Sequence, residues 1–292
     1  MSVAIMTDSN SGLSVQQGKE LGIFVLPMPV IIQEVCHFEG VDITTAQLFD
    51  AMRQNLNFSS SQPSPGSVME LWDEISKSGY DEIVYIPMSS GLSGSCHAAI
   101  QYALDYDSKV QVVDNHRISI PLLDSIKDAK FLATQGLNAK EIKEKLEEVS
   151  LESSIYITVN TLEYLKKSRR VTPAAAAIAS MINLKPILTI QGEKLDSYAK
   201  VRGIHQSEKR MIEAAKNDIS TRFANLTPKN ISIGAAGTFK KEEDAQKWEN
   251  TVKEAFPEYT VTYNPLSCSI ASHVGPNAVG ISISMTLDDL NR

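Results

Sequence analysis

Cysteine is scarce in this chain. Cys36, Cys96 and Cys268 are the only three, far apart and odd in number. No CxxC pair is present to hold zinc or run dithiol chemistry, and three isolated thiols make no disulfide framework, so a reducing cytoplasm is the expected setting. The five histidines, His37, His97, His116, His205 and His273, show neither HExxH nor any paired spacing, so no metal is expected. Neither GxxxxGK[ST] nor GxGxxG occurs, which removes the two common routes to nucleotide binding and leaves no cofactor expected. Basic residues are outnumbered 28 to 35, for a net charge of −7. Nucleic-acid affinity comes mainly from basic counterion release, so a DNA or RNA partner is disfavoured. The basic run Lys166, Lys167, Arg169 and Arg170 is too short to be a phosphate-tracking stripe. Long apolar runs are missing as well: nothing approaches the roughly 18 residues of a membrane span, and MSVAIMTDS reads as entering a strand directly, so a soluble, unsecreted protein is expected.

What is present is a chain of 292 residues with 42% hydrophobic content, enough for two packed α/β lobes. The segment Asp81 to Leu104, DEIVYIPMSSGLSGSCHAAIQYAL, reads as a short apolar strand at Ile83 to Pro87, a small-residue turn and a helix. An uninterrupted apolar run suits a strand covered on both faces, as in a parallel sheet. Val3 to Met6 and Val110 to Val113 repeat the pattern, and helices are predicted at Ile118 to Thr134 and Ala139 to Val149. Repeated strand–helix units predict a doubly wound parallel sheet over residues 1–152. Ile23 to Ile32, with Pro27 and Pro29, reads as one irregular edge strand. Asp42 to Thr45 opens a helix, and FSSSQPSPGS at 58–67 reads as a loop.

Residues 153–292 predict a mixed α/β lobe. Strands are expected at Ile155 to Val159, Ile231 to Ala235 and Tyr259 to Leu266, with long helices at His205 to Arg222 and Lys241 to Phe256. Leu184 to Ile190 and Ser197 to Arg202 form a hairpin pattern around Gly192. Ala174 to Ala177 with Ile178, Ala179 and Ser180 makes a helix with so little bulk that a neighbouring backbone or a slender ligand could lie close to it. SIASHVGPNAVGISISM reads as a turn at Gly275-Pro276-Asn277 and a last strand.

Candidate chemistry gathers at strand ends. Ser89, Ser90, Gly91, Ser93, Gly94 and Ser95 follow the strand at Ile83, and Thr7, Asp8 and Ser9 follow the first. Such turns aim N–H groups and hydroxyls at whatever lies above the carboxyl edge of a sheet, and the guest they suit is an anion. Ordinary turn and N-cap chemistry uses the same residues, and for Asp8 capping is the expected role. A serine-dependent hydrolase or acyltransferase using Ser93 and His273 is the alternative. Against it, Gly91-Leu92-Ser93-Gly94-Ser95 only approximates the G-x-S-x-G elbow.

Six stretches in order resemble the DegV family of bacterial lipid-binding proteins along almost the whole chain. They are Thr7-Asp8-Ser9, Ser60-Ser61-Gln62-Pro63, the SSGLSG of Ser89 to Gly94, Arg170, Lys185-Pro186-Ile187-Leu188 with Lys200-Val201-Arg202, and the HVGP of His273 to Pro276. The resemblance implies a two-lobed α/β fold that binds one long-chain fatty acid, with its carboxylate between the lobes and its acyl chain in an apolar tunnel. It implies a carrier without chemistry of its own, similar to the lipid-carrying subunit of bacterial fatty acid kinase, with a separate kinase as partner and transient membrane contact compatible with the role. By position, Ser60, Ser61, Ser93, Arg170 and His273 would surround the carboxylate. Arg202 would sit near the mouth, and the alanine-rich helix would line the tunnel. Ser168 and Arg169 stand where the family has two glycines, and Ser60 stands where it has threonine.

Overall fold

A computed structural model describes residues 2–177, 184–192 and 194–287. The chain divides into two compact units: everything through Leu151 together with Ser267–Ser269, and Glu152–Leu266 with Ile270 onward. The second unit is therefore interrupted in sequence, a return that a single cut between 152 and 153 leaves out.

The first unit is built on a four-stranded sheet of β1 (Val3–Asp8), β2 (Phe24–Leu26), β6 (Glu82–Ile86) and β7 (Val110–Val112), in the order β2-β1-β6-β7. All its pairings are parallel, with Ile5 opposite Val84 and Ile83 opposite Val110. Side chains alternate between the faces of a strand, and both faces are covered. Ala4, Met6, Ile83 and Tyr85 pack with Val68, Trp72 and Ile75 of α3 (Pro65–Lys77) and with Cys96 and Ala99 of α4 (Ser95–Ala103). On the other face, α5 (Ser119–Thr134) and α6 (Ala139–Glu148) bury Ile120, Leu122, Ile126, Ile142 and Leu146. This is the doubly wound arrangement that the apolar runs predict. Shorter helices complete the unit: α1 (Val15–Leu21) and α2 (Thr45–Arg53) each start with a capping box, Ser14 with Gln17 and Thr44 with Gln47.

Two expectations are corrected here. Ile23 to Ile32 is two strands, β2 in the parallel sheet and β3 (Pro29–Ile32) in a separate antiparallel sheet. The stretch 58–67 is not all loop, because β5 (Phe58–Ser60) pairs with β3 and puts Ser60 opposite Val30. The third strand of that small sheet, β4 (Val35–Phe38), has almost no buried residue, so apolar alternation could not reveal it.

The second unit carries a six-stranded mixed sheet, which accords with the mixed α/β reading. It contains β8 (Ser153–Thr158), β9 (Lys185–Ile190), β10 (Asp196–Val201), β11 (Ile231–Gly237), β12 (Thr260–Pro265) and β13 (Val279–Met285) in the order β10-β9-β8-β13-β11-β12. The β11–β12 pair is parallel and the other pairs are antiparallel. Helices α9 (Ile204–Ser220) and α10 (Glu242–Ala255) bury Met211, Ala214, Trp248 and Val252 against Ile233, Ala235, Ile281 and Ile283. The buried Trp248 indole N–H donates to Gly280 O at 2.9 Å, so a large apolar ring enters the core without leaving a donor unsatisfied. The remaining helices are α7 (Glu163–Ser168), α8 (Pro173–Ala177) and α11 (Cys268–Val274). The last, just before the Gly275-Pro276-Asn277 turn, was not read from the sequence. Within α8 Ala175 is buried and Ala177 exposed, while Ile178, Ala179 and Ser180 lie outside the described residues. No helix among the described residues is long and apolar enough to cross a membrane.

Candidate functional site

In the first unit the carboxyl ends of β1 and β6 are tied together by one side chain. Asp8 caps the short 3-10 turn Ser9–Ser11 by accepting the Asn10 N–H at 2.9 Å, and its other oxygen accepts the Met88 N–H at 2.9 Å. Met88 is the residue from which the serine turn departs. Asp8 thus has the capping role expected of it and, in addition, anchors that turn. Its carboxyl is fully buried, and desolvation lifts its pKa to about 6 despite the hydrogen bonds that favour the anion. Thr7 Oγ1 donates to Ile86 O at 2.8 Å and Ser11 Oγ to Asp8 O at 2.9 Å, so most hydroxyls of this cluster are spent on the backbone. Ser9 Oγ donates to Glu39 at 2.7 Å. Glu39 in turn accepts the Cys268 N–H, and Ser267 Oγ donates to Asn10 Oδ1 at 3.1 Å, which holds the returning segment 267–269 within this unit.

The serine turn winds on its own first residue. Ser89 is fully buried and its Oγ accepts the Gly91 N–H at 3.1 Å, while Ser89 O accepts the Ser93 N–H at 3.2 Å. Ser93 Oγ accepts the Ser95 N–H at 3.2 Å, at the first turn of α4. Ser95 Oγ is buried with no hydrogen-bond partner among the described residues. The Ser60-Ser61-Gln62-Pro63 stretch meets this turn: a Cβ on Gly94 would lie 3.2 Å from Gln62 Oε1. Two segments distant in sequence therefore meet at Gln62 and Gly94, and Ser60, Ser61 and Ser93, which flank these two residues in the chain, are all partly buried. Arg117 was not singled out by its sequence. It is buried, donates to Ser125 Oγ at 3.1 Å and Val149 O at 2.7 Å, and its carbonyl accepts the Ser89 N–H at 2.9 Å.

The second unit holds Arg170, His273 and Arg202. Helix α7 ends in the left-handed residue Arg169, at φ 58°, whose N–H returns to Lys166 O at 3.2 Å. That conformation favours glycine, and a side chain adopts it here at a cost of about 1 kcal/mol. The next residue, Arg170, is half-buried, and its guanidinium donates to Ser168 O at 3.0 Å. Its carbonyl accepts the Leu195 N–H at 3.2 Å, fastening it beside the start of β10. Arg202 is exposed, beyond the end of β10.

His273 lies near the end of α11 and is partly buried. Its pKa is pushed down to about 3, mainly by burial and further by the Arg170 guanidinium. The imidazole is therefore neutral at physiological pH, with one N–H to donate and one nitrogen to accept. After it the chain turns at Gly275, φ 70°, whose N–H closes the helix on Ala271 O at 2.8 Å. Gly275 lies on the Tyr164 ring of α7, with a hypothetical Cβ only 2.7 Å from Cδ2 and Cε2. Thr238, which the sequence did not mark, is bonded to this turn throughout. Its Oγ1 donates to Gly275 O at 2.7 Å and accepts the Ala278 N–H at 2.8 Å, its N–H donates to Ala278 O at 2.9 Å, and its carbonyl accepts the Asn277 N–H at 2.9 Å. The two units thus each present a polar set suited to an anion: hydroxyls and N–H groups in the first, a guanidinium and a neutral imidazole in the second.

Comparison with known proteins gives a consistent outcome. The family model described as "Uncharacterised protein, DegV family" matches residues 2–286. A DegV domain-containing protein of Staphylococcus aureus (strain N315) is 27% identical over 279 residues, which cover 96% of this chain and 97% of that protein. One from Deinococcus radiodurans is 26% identical over 284 residues, 97% of this chain and 98% of that one. Among solved structures, a Thermus thermophilus protein described as fatty-acid-binding and of the DegV family superposes with a TM-score of 0.86 at 25% identity, covering 98% of this chain and all of its own. A stearic-acid-binding protein from Eubacterium ventriosum gives a TM-score of 0.84 at 21% identity, over 97% of this chain and 98% of that one.

Proposed function

We propose, because this chain belongs to the DegV family, that it is a binding protein for one long-chain fatty acid and performs no chemistry of its own. The observation that carries the reading is the likeness, over 98% of the chain, to the Thermus thermophilus protein that binds fatty acid. The carboxylate is assigned to Ser60, Ser61 and Ser93 of the first unit and to Arg170 and His273 of the second. Groups of these kinds hold an anion with charge-assisted hydrogen bonds and a single full positive charge. The acyl chain is assigned to an apolar passage, where each methylene taken from water contributes about 0.8 kcal/mol. The bound acid is presented to a separate kinase that phosphorylates its carboxylate, and exposed Arg202 is assigned to the mouth of the site or to that partner.

The electrostatics favour this reading over serine-dependent catalysis. A histidine with a pKa near 3 is a poor acceptor for a serine proton, since an effective general base titrates near the working pH. The test is mass spectrometry of lipid extracted from the purified protein, and a near-stoichiometric long-chain fatty acid is the expected result. Protein that carries none, and takes up none from an added fatty acid, would refute the assignment.

A further inference from the structure

We propose that Thr238 is the positioning residue of the second unit's polar set: it holds the Val274–Ala278 turn and, through it, fixes where the His273 imidazole stands beside Arg170. The proposal rests on the reading of His273 as a carboxylate contact. Thr238 follows the last residue of β11, Gly237, and is buried. Its hydroxyl is used twice, donating to Gly275 O at 2.7 Å and accepting the Ala278 N–H at 2.8 Å. Its backbone makes two further bonds, to Ala278 O and from Asn277 N–H, each 2.9 Å. Four hydrogen bonds from one residue to a turn of a few residues are more than closing the fold needs, because the β11–β13 ladder already fixes Val279 opposite Gly237.

The turn itself is built from residues that need holding in place. It contains two left-handed residues, Gly275 at φ 70° and Asn277 at φ 60°, with Pro276, which has no N–H to donate, between them. Besides the Gly275 N–H bond to Ala271 O at 2.8 Å, it is supported by the close approach of Gly275 to the Tyr164 ring. Tyr164 belongs to α7, the helix whose end leads through Arg169 into Arg170. Thr238 therefore sets the turn from below, while the Gly275–Tyr164 contact ties that turn to the helix that aims Arg170. Position matters at this spot because a neutral imidazole discriminates by direction: it offers one donor and one acceptor, and a displaced ring loses the contact altogether.

The experiment compares wild type with Thr238→Val, which keeps the shape and removes the hydroxyl, and Thr238→Ser, which restores it. The first readout is an NMR titration of His273, its resonances identified by their disappearance in His273→Gln. In wild-type protein the ring should remain neutral down to about pH 4, given a pKa near 3. In Thr238→Val its titration should move toward that of an ordinary histidine, and Thr238→Ser should restore the wild-type curve. The second readout is the affinity for oleate. Thr238→Val should weaken it about tenfold, the effect of losing one well-placed hydrogen bond, and should add nothing in a His273→Ala background, since the residue acts through His273.

An unmoved His273 titration, or a Thr238→Val effect that is additive with His273→Ala, would overturn the proposal. Should Thr238→Val fail to fold, Thr238→Ala takes its place, and failure of both assigns Thr238 to structure alone and overturns the proposal as well. If wild type binds no oleate, the fatty-acid reading is what fails, and the lipid-free titration still decides whether Thr238 governs His273.

Discussion

Replacing Gly275 by alanine tests a close contact of the second unit. Two costs add at this position. An L-residue at φ 70° sits in the left-handed region at a penalty of about 1–2 kcal/mol. A methyl 2.7 Å from two Tyr164 ring carbons must displace a packed ring, which costs about 1–3 kcal/mol more. The variant is thus expected to lose about 2–5 kcal/mol, a large share of a typical folding free energy. The chain offers a convenient reporter, since its two tryptophans, Trp72 and Trp248, lie in the cores of different units. In a Trp72→Phe background the fluorescence of Trp248 follows the second unit alone during urea unfolding. Tyr164→Ala in the same background separates the two costs: with the ring gone, Gly275→Ala should cost only its backbone share, giving a coupling of about 1–3 kcal/mol between the positions. A Gly275→Ala protein within about 0.5 kcal/mol of its parent would show that neither the left-handed backbone nor the ring contact constrains this turn.

Three further outcomes are expected. Asp8 has a folded pKa of about 6 against 3.8 for a free carboxyl, so its contribution to stability is fully present below the lower value and lost as the pH rises through the higher. The stability of Asp8→Asn relative to wild type should accordingly improve by about 2 kcal/mol between pH 4 and pH 7, and a difference flat with pH in urea unfolding counts against the buried anion. Gly18 sits inside α1, where alanine ordinarily adds about 1 kcal/mol. Here its Cβ would lie 2.4 Å from Val25 Cγ2 and 2.7 Å from the Ile23 carbonyl oxygen, so Gly18→Ala should lower stability by about 1–3 kcal/mol, and a gain on thermal unfolding would contradict the close packing. Ser93→Ala and Arg170→Ala should each weaken fatty-acid retention about ten- to a hundredfold without unfolding, and full lipid occupancy in both would remove them from the site.

How much of this was legible depended on how local each cause is. The strand around Ile83 could be read because burial on both faces leaves an unbroken apolar run, and the helix opened by Asp42 to Thr45 could be read because the signals at a helix start span only a few residues. Strand β4 could not, since its side chains are nearly all exposed and its only structural cause is the ladder to β3. Helix α11 is short, built of small residues, and ended by Gly-Pro, so it carries little helical signal. Asp8 was legible as a cap, but not as the anchor of Met88, because that bond comes from a strand far along the chain. The same reasoning separates motif from mechanism in the second unit. Gly275-Pro276 reads as a turn from two residues alone, yet the reason it must be glycine is the Tyr164 ring, and the reason it stays put is Thr238. Arg169 makes the converse point: a left-handed helix end that glycine would occupy without strain is kept by a side chain, held there by the Lys166 carbonyl behind it and by the Leu195 N–H bonded to the next residue. Short motifs thus identify the polar groups, while the long-range bonds that direct them emerge only when the chain is folded.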